Sequence, residues 1–343
     1  MADRGEVRRA LAARVDNLIR SDGEISFPAV PAMREHFVDK CVQTFAEVGR
    51  VFNAEERAHL AALLGRALTE AYAFSQRSSV TVAYRSRSAG PLDYQVTANC
   101  VTLEEAYDEW VAQRQPPLFG PGPDARIWAL AAETADPARC RVLDIGAGTG
   151  RNTFALARRG HPVDAAELTG AFADDLEAQA RREGLDVTVI RRDVFNAQAG
   201  LRCDYSLMLL SGVVSEFRTA EHVRAMFTLA ARSLLPGGLL VFNTFLAREG
   251  AALDDAARQF AEFSYSSFFT RAELAAAVRG LPLQPVADDS VYEYEKAHLP
   301  EGQWPPTDWY ENWVTGKDVF GLDRERSPIE SRWLVYRRAD REG

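Results

Sequence analysis

The chain has 343 residues, 47% of them hydrophobic, and a formal net charge of −9. That length and apolar content fit one large or two modest domains with a sizeable core, and the acidic balance argues against a general binder of phosphate backbones, leaving a local basic patch open, so no nucleic-acid partner is expected. Four well-separated cysteines (Cys41, Cys100, Cys140, Cys203) form no C-x-x-C pair, and no segment nears the roughly 18 apolar residues of a membrane span, so a cytoplasmic protein with free thiols, no metal site and no membrane partner is expected.

The first hundred residues read as mainly helical. "EVRRALAARVDNLI" has helical apolar spacing, and a second helix runs from about Pro31 through "AMREHFVDKCVQTFAEVGRVF". "NAEERAHLAALLGRALTEAYAF" opens on a capping box, Asn53 with Glu56. "SVTVAYR" and "LDYQVTA", around "SRSAGP", alternate as a small β-hairpin. "TLEEAYDEWVAQ" carries another capping box, Thr102 with Glu105, and after the rigid loop "PPLFGPGP" comes a short helix, "DARIWALAAET". The division expected is a helical domain with a hairpin over 1–100 and a second domain over 101–343. The helical part would cover the substrate pocket or mediate dimerisation.

From Cys140 short apolar runs alternate with helical patterns: "CRVLDI", a helix from Asn152 to Arg159, "PVDAAEL", a helix near 171–183, "VTVIRRD", "DYSLMLLS", a helix near 220–235, then "GLLVFNTF". This rhythm predicts an α/β fold with a parallel sheet and helices on both faces. A helix capped by Thr270 and Glu273 follows. "SVYEYEKAHL" and "SRWLVYRR" read as two strands, separated by an aromatic loop with Trp304, Trp309, Tyr310, Trp313 and Phe320. That loop reads either as a wall over a flat or cationic substrate or as packing against the N-terminal helices.

"VLDIGAGTGRN" puts Gly146, Gly148 and Gly150 between a strand and a helix, aiming bare N–H groups at a ligand. The nicotinamide pattern G-x-G-x-x-G would put its third small residue at Arg151. Asp144, just ahead of the turn, would repel a pyrophosphate. It suits the ammonium and sulfonium of S-adenosylmethionine, or it braces the turn by accepting its N–H groups. Glu167 ends the second strand and can accept both ribose hydroxyls. Asp193 ends the third and can accept from the adenine amine beside Val194, although it also reads as a helix N-cap. Three acids at the carboxyl ends of successive strands point into one crevice.

"VLDIGAGTGRN", "AAEL", "RRDVF" and "LPGGLLVF" resemble the class I S-adenosylmethionine-dependent methyltransferases over roughly residues 103–343. Within that class "GAGTGRNTFALARRGHPVDAAELT" is similar to the tellurite-resistance methyltransferases, and "LDYQVTA" with the following Asp-x-Trp is more weakly similar to the carnosine N-methyltransferases. The resemblance implies a Rossmann-like seven-stranded, mostly parallel sheet ordered 3-2-1-4-5-7-6 with strand 7 antiparallel. "SVYEYEKAHL" and "SRWLVYRR" would be strands 6 and 7.

The cofactor candidates are Asp144, Gly146, Gly148, Gly150, Asn152, Glu167, Leu168, Asp193, Val194, Leu210 and Tyr107, with S-adenosyl-L-methionine as cofactor. Leu210, Ser211 and Gly212 end the fourth strand, where the methyl group should lie. "LLSGVVSEF" lacks the [DN]-P-P-Y of amide and nucleobase N-methyltransferases. No catalytic residue stands out; Glu216 and His222 are the candidates for a base. The expected reaction is methyl transfer to a small-molecule or short-peptide nucleophile, and a homodimer is left open. The rival readings are a nicotinamide-dependent oxidoreductase and a non-catalytic cofactor-binding scaffold.

Overall fold

The computed structural model describes residues 3–16, 21–86, 92–195 and 201–340. The turn that the sequence places at 87–91, and the end of the first helix, lie outside these residues. The chain divides into two compact units, 1–109 with 254–263, and 110–253 with 264–343.

In the first unit, α1 (Arg4–Asp16) is followed by β1 (Asp22–Pro28), α2 (Arg34–Glu47), α3 (Ala54–Phe74), β2 (Ser79–Ser86) and β3 (Leu92–Asn99). The hairpin of β2 and β3 forms, with Val82 opposite Val96. The sequence reading missed β1, which pairs antiparallel with β2 and makes a three-stranded sheet. Its pattern is short: only Ile25 and Phe27 turn inward between exposed Glu24 and Ser26. One sheet face, with Phe27, Val80 and Val82, packs on Val38, Cys41 and Phe45 of α2 and Leu60, Leu64 and Leu68 of α3. The Asn53–Glu56 capping box starts α3 as read. α4 (Leu103–Ala112) contains the unit boundary, and Thr102 and Glu105 exchange their capping bonds.

The second unit runs α5 (Ala125–Ala132), β4 (Val142–Ile145), α6 (Arg151–Arg158), β5 (Val163–Ala166), α7 (Gly170–Glu183), β6 (Val187–Ile190), β7 (Tyr205–Leu210), α8 (Ala220–Ser233) and β8 (Leu234–Ala247). After α9 (Asp255–Phe263), which belongs to the first unit, come β9 (Phe268–Phe269), α10 (Arg271–Val278), β10 (Leu283–Ser290), α11 (Val291–His298), α12 (Tyr310–Val314), α13 (Lys317–Phe320) and β11 (Ile329–Arg338). The strand order is β10-β11-β8-β7-β4-β5-β6, with β9 on β8. β6, β5, β4, β7 and β8 are mutually parallel and β11 is antiparallel to both neighbours. This is the 3-2-1-4-5-7-6 order with strand 7 reversed.

The short parallel strands are apolar because both faces are covered. Leu143, Met208, Leu210 and Phe242 pack on Met226, Phe227 and Ala230 of α8 and Leu274 of α10. On the other face Val142, Leu207, Leu209, Val241 and Trp333 pack on Ile127 of α5, Leu156 of α6, Val291 of α11 and Val314 of α12.

The sixth strand differs from the sequence reading. It is β10, over 283–290, and "VYEYEKAH" is helix α11. Ser290 caps that helix by accepting from the Glu293 N–H, and Val291 and Glu295, four apart, turn inward. Tyr292 and Tyr294 mimic strand alternation, but the cap and the one-turn spacing decide the conformation. Asp288 and Asp289 lie in β10, where Asp288 receives Arg332 and Arg271. Among the described residues no helix is long and apolar enough to cross a membrane, and no cluster of His, Cys, Asp and Glu could hold a metal ion.

Candidate cofactor and acceptor site

The chain leaves β4 through a turn that an L side chain would obstruct. Gly146, Gly148 and Gly150 have φ of 69°, 54° and 80°, a region that costs other residues about 1–2 kcal/mol. A Cβ on Gly146 would stand 2.4 Å from Val213, and one on Gly150 2.3 Å from Phe154 and 2.6 Å from Leu176. At Gly148 the nearest atom, on Phe119, is 3.5 Å away. The third small position is therefore Gly150, the residue before α6, where side chains of α6 and α7 close in. The N–H groups of Gly146 and Ala147 bond to Ala166 O at the end of β5.

Two of the three candidate acids brace this turn. Asp144 is 3% exposed and accepts the Thr153 hydroxyl at 2.6 Å. Burial pushes its carboxyl up to about 7, against the opposing pull of Thr153 and Arg151. Glu167, directly after β5, accepts from Gly148 N at 2.7 Å and Thr169 N at 2.8 Å, so it spans the turn and the start of α7. Asp193, just beyond β6, accepts from Phe195 N at 2.8 Å, a local turn. Val194 and Leu210 point into the core, so only their backbone can face a ligand, whereas Leu168 is exposed. Tyr107 is half-buried on the part of α4 in the first unit.

Asn152 does something else. Its amide oxygen accepts from Asp124 N and its amide nitrogen donates to Asp124 Oδ2, each at 2.9 Å. Arg151 forks onto the same carboxylate, at 2.6 and 2.9 Å, and Ser211, the residue after β7, donates to it at 2.7 Å. Asp124 is 3% exposed. Behind it Glu295 caps α5, accepting from Ala125 N, Arg126 N and the Trp333 indole. Burial and the charge of Asp124 push Glu295 up to about 7.

The family described as a methyltransferase domain matches residues 142–238. The matched stretch runs from β4 into β8. The biotin biosynthesis bifunctional protein BioCD of Bordetella avium is 40% identical over 125 residues, which are 36% of this chain and 24% of that protein. The matched stretch is thus about a quarter of that relative's length. Among solved structures, a putative sarcosine dimethylglycine methyltransferase from Galdieria sulphuraria is similar over 69% of this chain and 98% of its own, at 15% identity and a TM-score of 0.50. Geranyl diphosphate methyltransferase in complex with SAM is similar over 63% and 85%, at 17% identity and a TM-score of 0.50. These two likenesses are of fold.

The tip of β7 continues through Gly212, whose N–H donates to Asn243 of β8 at 2.7 Å. Ser215 closes the loop on Gly212 O, and Ser267 N bonds to Ser215 O. Glu216 is half-buried in the short 3-10 helix Val214–Glu216. His222 is exposed, its ring nitrogen receiving the Arg218 N–H at 3.3 Å.

The aromatic stretch 304–320 folds onto the sheet of its own unit. Tyr310 and Val314 are core residues with Trp304, Trp309 and Trp313 against them. Trp313 packs edge-on to Phe245 at the end of β8 and donates to Tyr265 O. Tyr265 is the one described non-glycine residue at positive φ, 58°. Trp309 meets Trp110, which stacks on Phe119 beside Gly148. A continuous aromatic wall therefore runs from the glycine turn to the tip of β8. Asp124, Asn243 and Glu295 were missed in the sequence, where the one local signal is Asp124 just ahead of α5; their partners lie 27 or more positions away.

Proposed function

We propose that this chain transfers the methyl group of S-adenosylmethionine to an O, N or S nucleophile of a small molecule. The observation that carries the proposal is the bare-backbone turn with carboxylates at the ends of three adjacent parallel strands, β4, β5 and β6. The residues fit the cofactor. Asp144 is a buried carboxylate whose direct partner is a hydroxyl, so it favours a nearby cation, the ligand's ammonium. Glu167 already holds two N–H donors with its two oxygens, and each oxygen retains capacity for a ribose hydroxyl. Asp193 and the Val194 backbone would meet the adenine. The three glycines let the main chain approach the amino-acid end.

The bound cofactor would supply an electrophilic methyl on a good leaving group. The chain would bind, orient and keep water out. Holding nucleophile and methyl in line is worth about 7–11 kcal/mol in the best-oriented cases, and a base is needed only for an acceptor that carries a proton at neutral pH. Half-buried Glu216, in the 3-10 helix after β7, is better placed for that role than exposed His222. The aromatic wall supports an acceptor of small-molecule size with flat or apolar parts.

Calorimetric titration with S-adenosylmethionine, S-adenosylhomocysteine and NADH tests the cofactor. The first two should bind and the third should not, and Glu167→Ala should weaken binding by about 1–3 kcal/mol. NADH binding with neither adenosyl ligand would return the oxidoreductase reading. Labelled methyl donor with fractionated cell extract, followed by mass spectrometry of labelled product, identifies the acceptor. Tight cofactor binding without any labelled product would favour a scaffold.

A further inference from the structure

The two residues that follow the glycine turn, Arg151 and Asn152, face away from the ligand role that their position suggests. Both are bound to Asp124. Its Oδ1 takes one arm of Arg151, and its Oδ2 takes the other arm, the Asn152 amide and the Ser211 hydroxyl. Its N–H closes the ring onto Asn152. Arg151 also reaches Ser211 Oγ at 3.3 Å and Gly122 O at 3.4 Å. A buried guanidinium with both terminal nitrogens engaged is not a receptor for an anionic substrate.

We propose that Asp124 is a positioning residue that locks the cofactor turn and the tip of β7 into one register. The proposal rests on reading that turn as the cofactor site. The tip of β7 is where an acceptor would meet the methyl group, and in-line displacement tolerates little misplacement there. Three features make the lock rigid. Asp124 sits at the entry to α5, whose first N–H groups are held by Glu295. Val213, two residues past Ser211, packs where a Cβ of Gly146 would be. Gly212 is pinned separately by Asn243. A displacement of Arg151 by a ligand in the turn must therefore be shared by Asp124 and Ser211. Linkage requires the reverse as well.

Hydrogen exchange of the full chain, with and without S-adenosylhomocysteine, reads the coupling at the Gly212 and Val213 amides. The wild-type chain should show slower exchange there when the ligand is bound. Ser211→Ala should lose most of that ligand-dependent protection, about tenfold on a typical coupling. Ser211→Thr, which keeps the hydroxyl, should restore it. Asp124→Asn should weaken both ligand binding and protection. A merely structural link would change exchange equally in the free and bound chain. Equal ligand-dependent protection in Ser211→Ala and wild type overturns the proposal even if Asp124→Asn fails to fold. A wild-type chain that binds no S-adenosylhomocysteine overturns the cofactor reading, and this proposal with it.

Discussion

Asp144 holds a charge that its surroundings oppose. Its carboxyl is buried and pushed up to about 7, whereas in an unfolded chain it would titrate near 3.9. Below about pH 4 both states carry the proton. Between there and about pH 7 only the folded chain keeps it, so stability from this group falls as pH rises through that window, by about 1.4 kcal/mol per unit at most. A bound cation reverses the preference, because it favours the carboxylate. S-adenosylmethionine affinity should therefore rise between about pH 6 and 8, with a fraction of a proton released on binding at the acid end. Titrations in two buffers of different ionisation enthalpy would read that proton, and Asp144→Asn should flatten the profile. The same affinity at both pH values, with no proton released, would mean that Asp144 only braces Thr153. The double reading of this residue, ligand or brace, was already present in the sequence. Its position before the turn is legible there, but its burial and its partner are not.

At the scale of elements the glycines separate two costs. Gly148→Ala meets Phe119 at ordinary contact distance, so it should lose only the cost of the left-handed backbone, about 1–2 kcal/mol. Gly146→Ala and Gly150→Ala add overlaps with Val213 and with Phe154 and Leu176, so both should lower the melting temperature further and abolish cofactor binding. Equal melting temperatures for all three variants would show that the turn relaxes freely around a side chain. This turn was readable because everything that specifies it is local: an apolar strand, three glycines in five positions, then a helix. Elements with strong periods were readable for the same reason, and three capping boxes marked helix starts correctly. β10 was not, because an edge strand carrying Gln284, Asp288 and Asp289 lacks an apolar signature. β1 was missed because two inward residues do not make a pattern. The Asp124 cluster had no chance of being read as a unit, since Ser211 lies 87 positions away and only the strand order brings the two together.

At the scale of the whole molecule the chain crosses between its units more than once. The segment 254–263 returns to the first unit from within the second half of the sequence. Within that unit α9 is held by polar bonds as well as by Phe260 packing on the helices. Tyr72 donates to Glu262 at 2.9 Å, Ala32 N bonds to Gln259, and buried Arg77 donates to the carbonyls of Glu262 and Phe263. Truncation at residue 100 or 110 would therefore strip α9 of its partners, and lost activity in such a fragment would say little about what the first unit does. A point substitution is the cleaner probe. Arg77→Ala leaves two carbonyls at the end of α9 short of a donor, which should cost about 1–3 kcal/mol. Because that end leads directly into Tyr265, whose carbonyl holds the Trp313 indole, limited proteolysis should speed up between 250 and 266 before the sheet unfolds. If cleavage there and the melting temperature both match the wild-type chain, α9 is held by its apolar face alone, and the Arg77 bonds contribute nothing to keeping the returning segment in place.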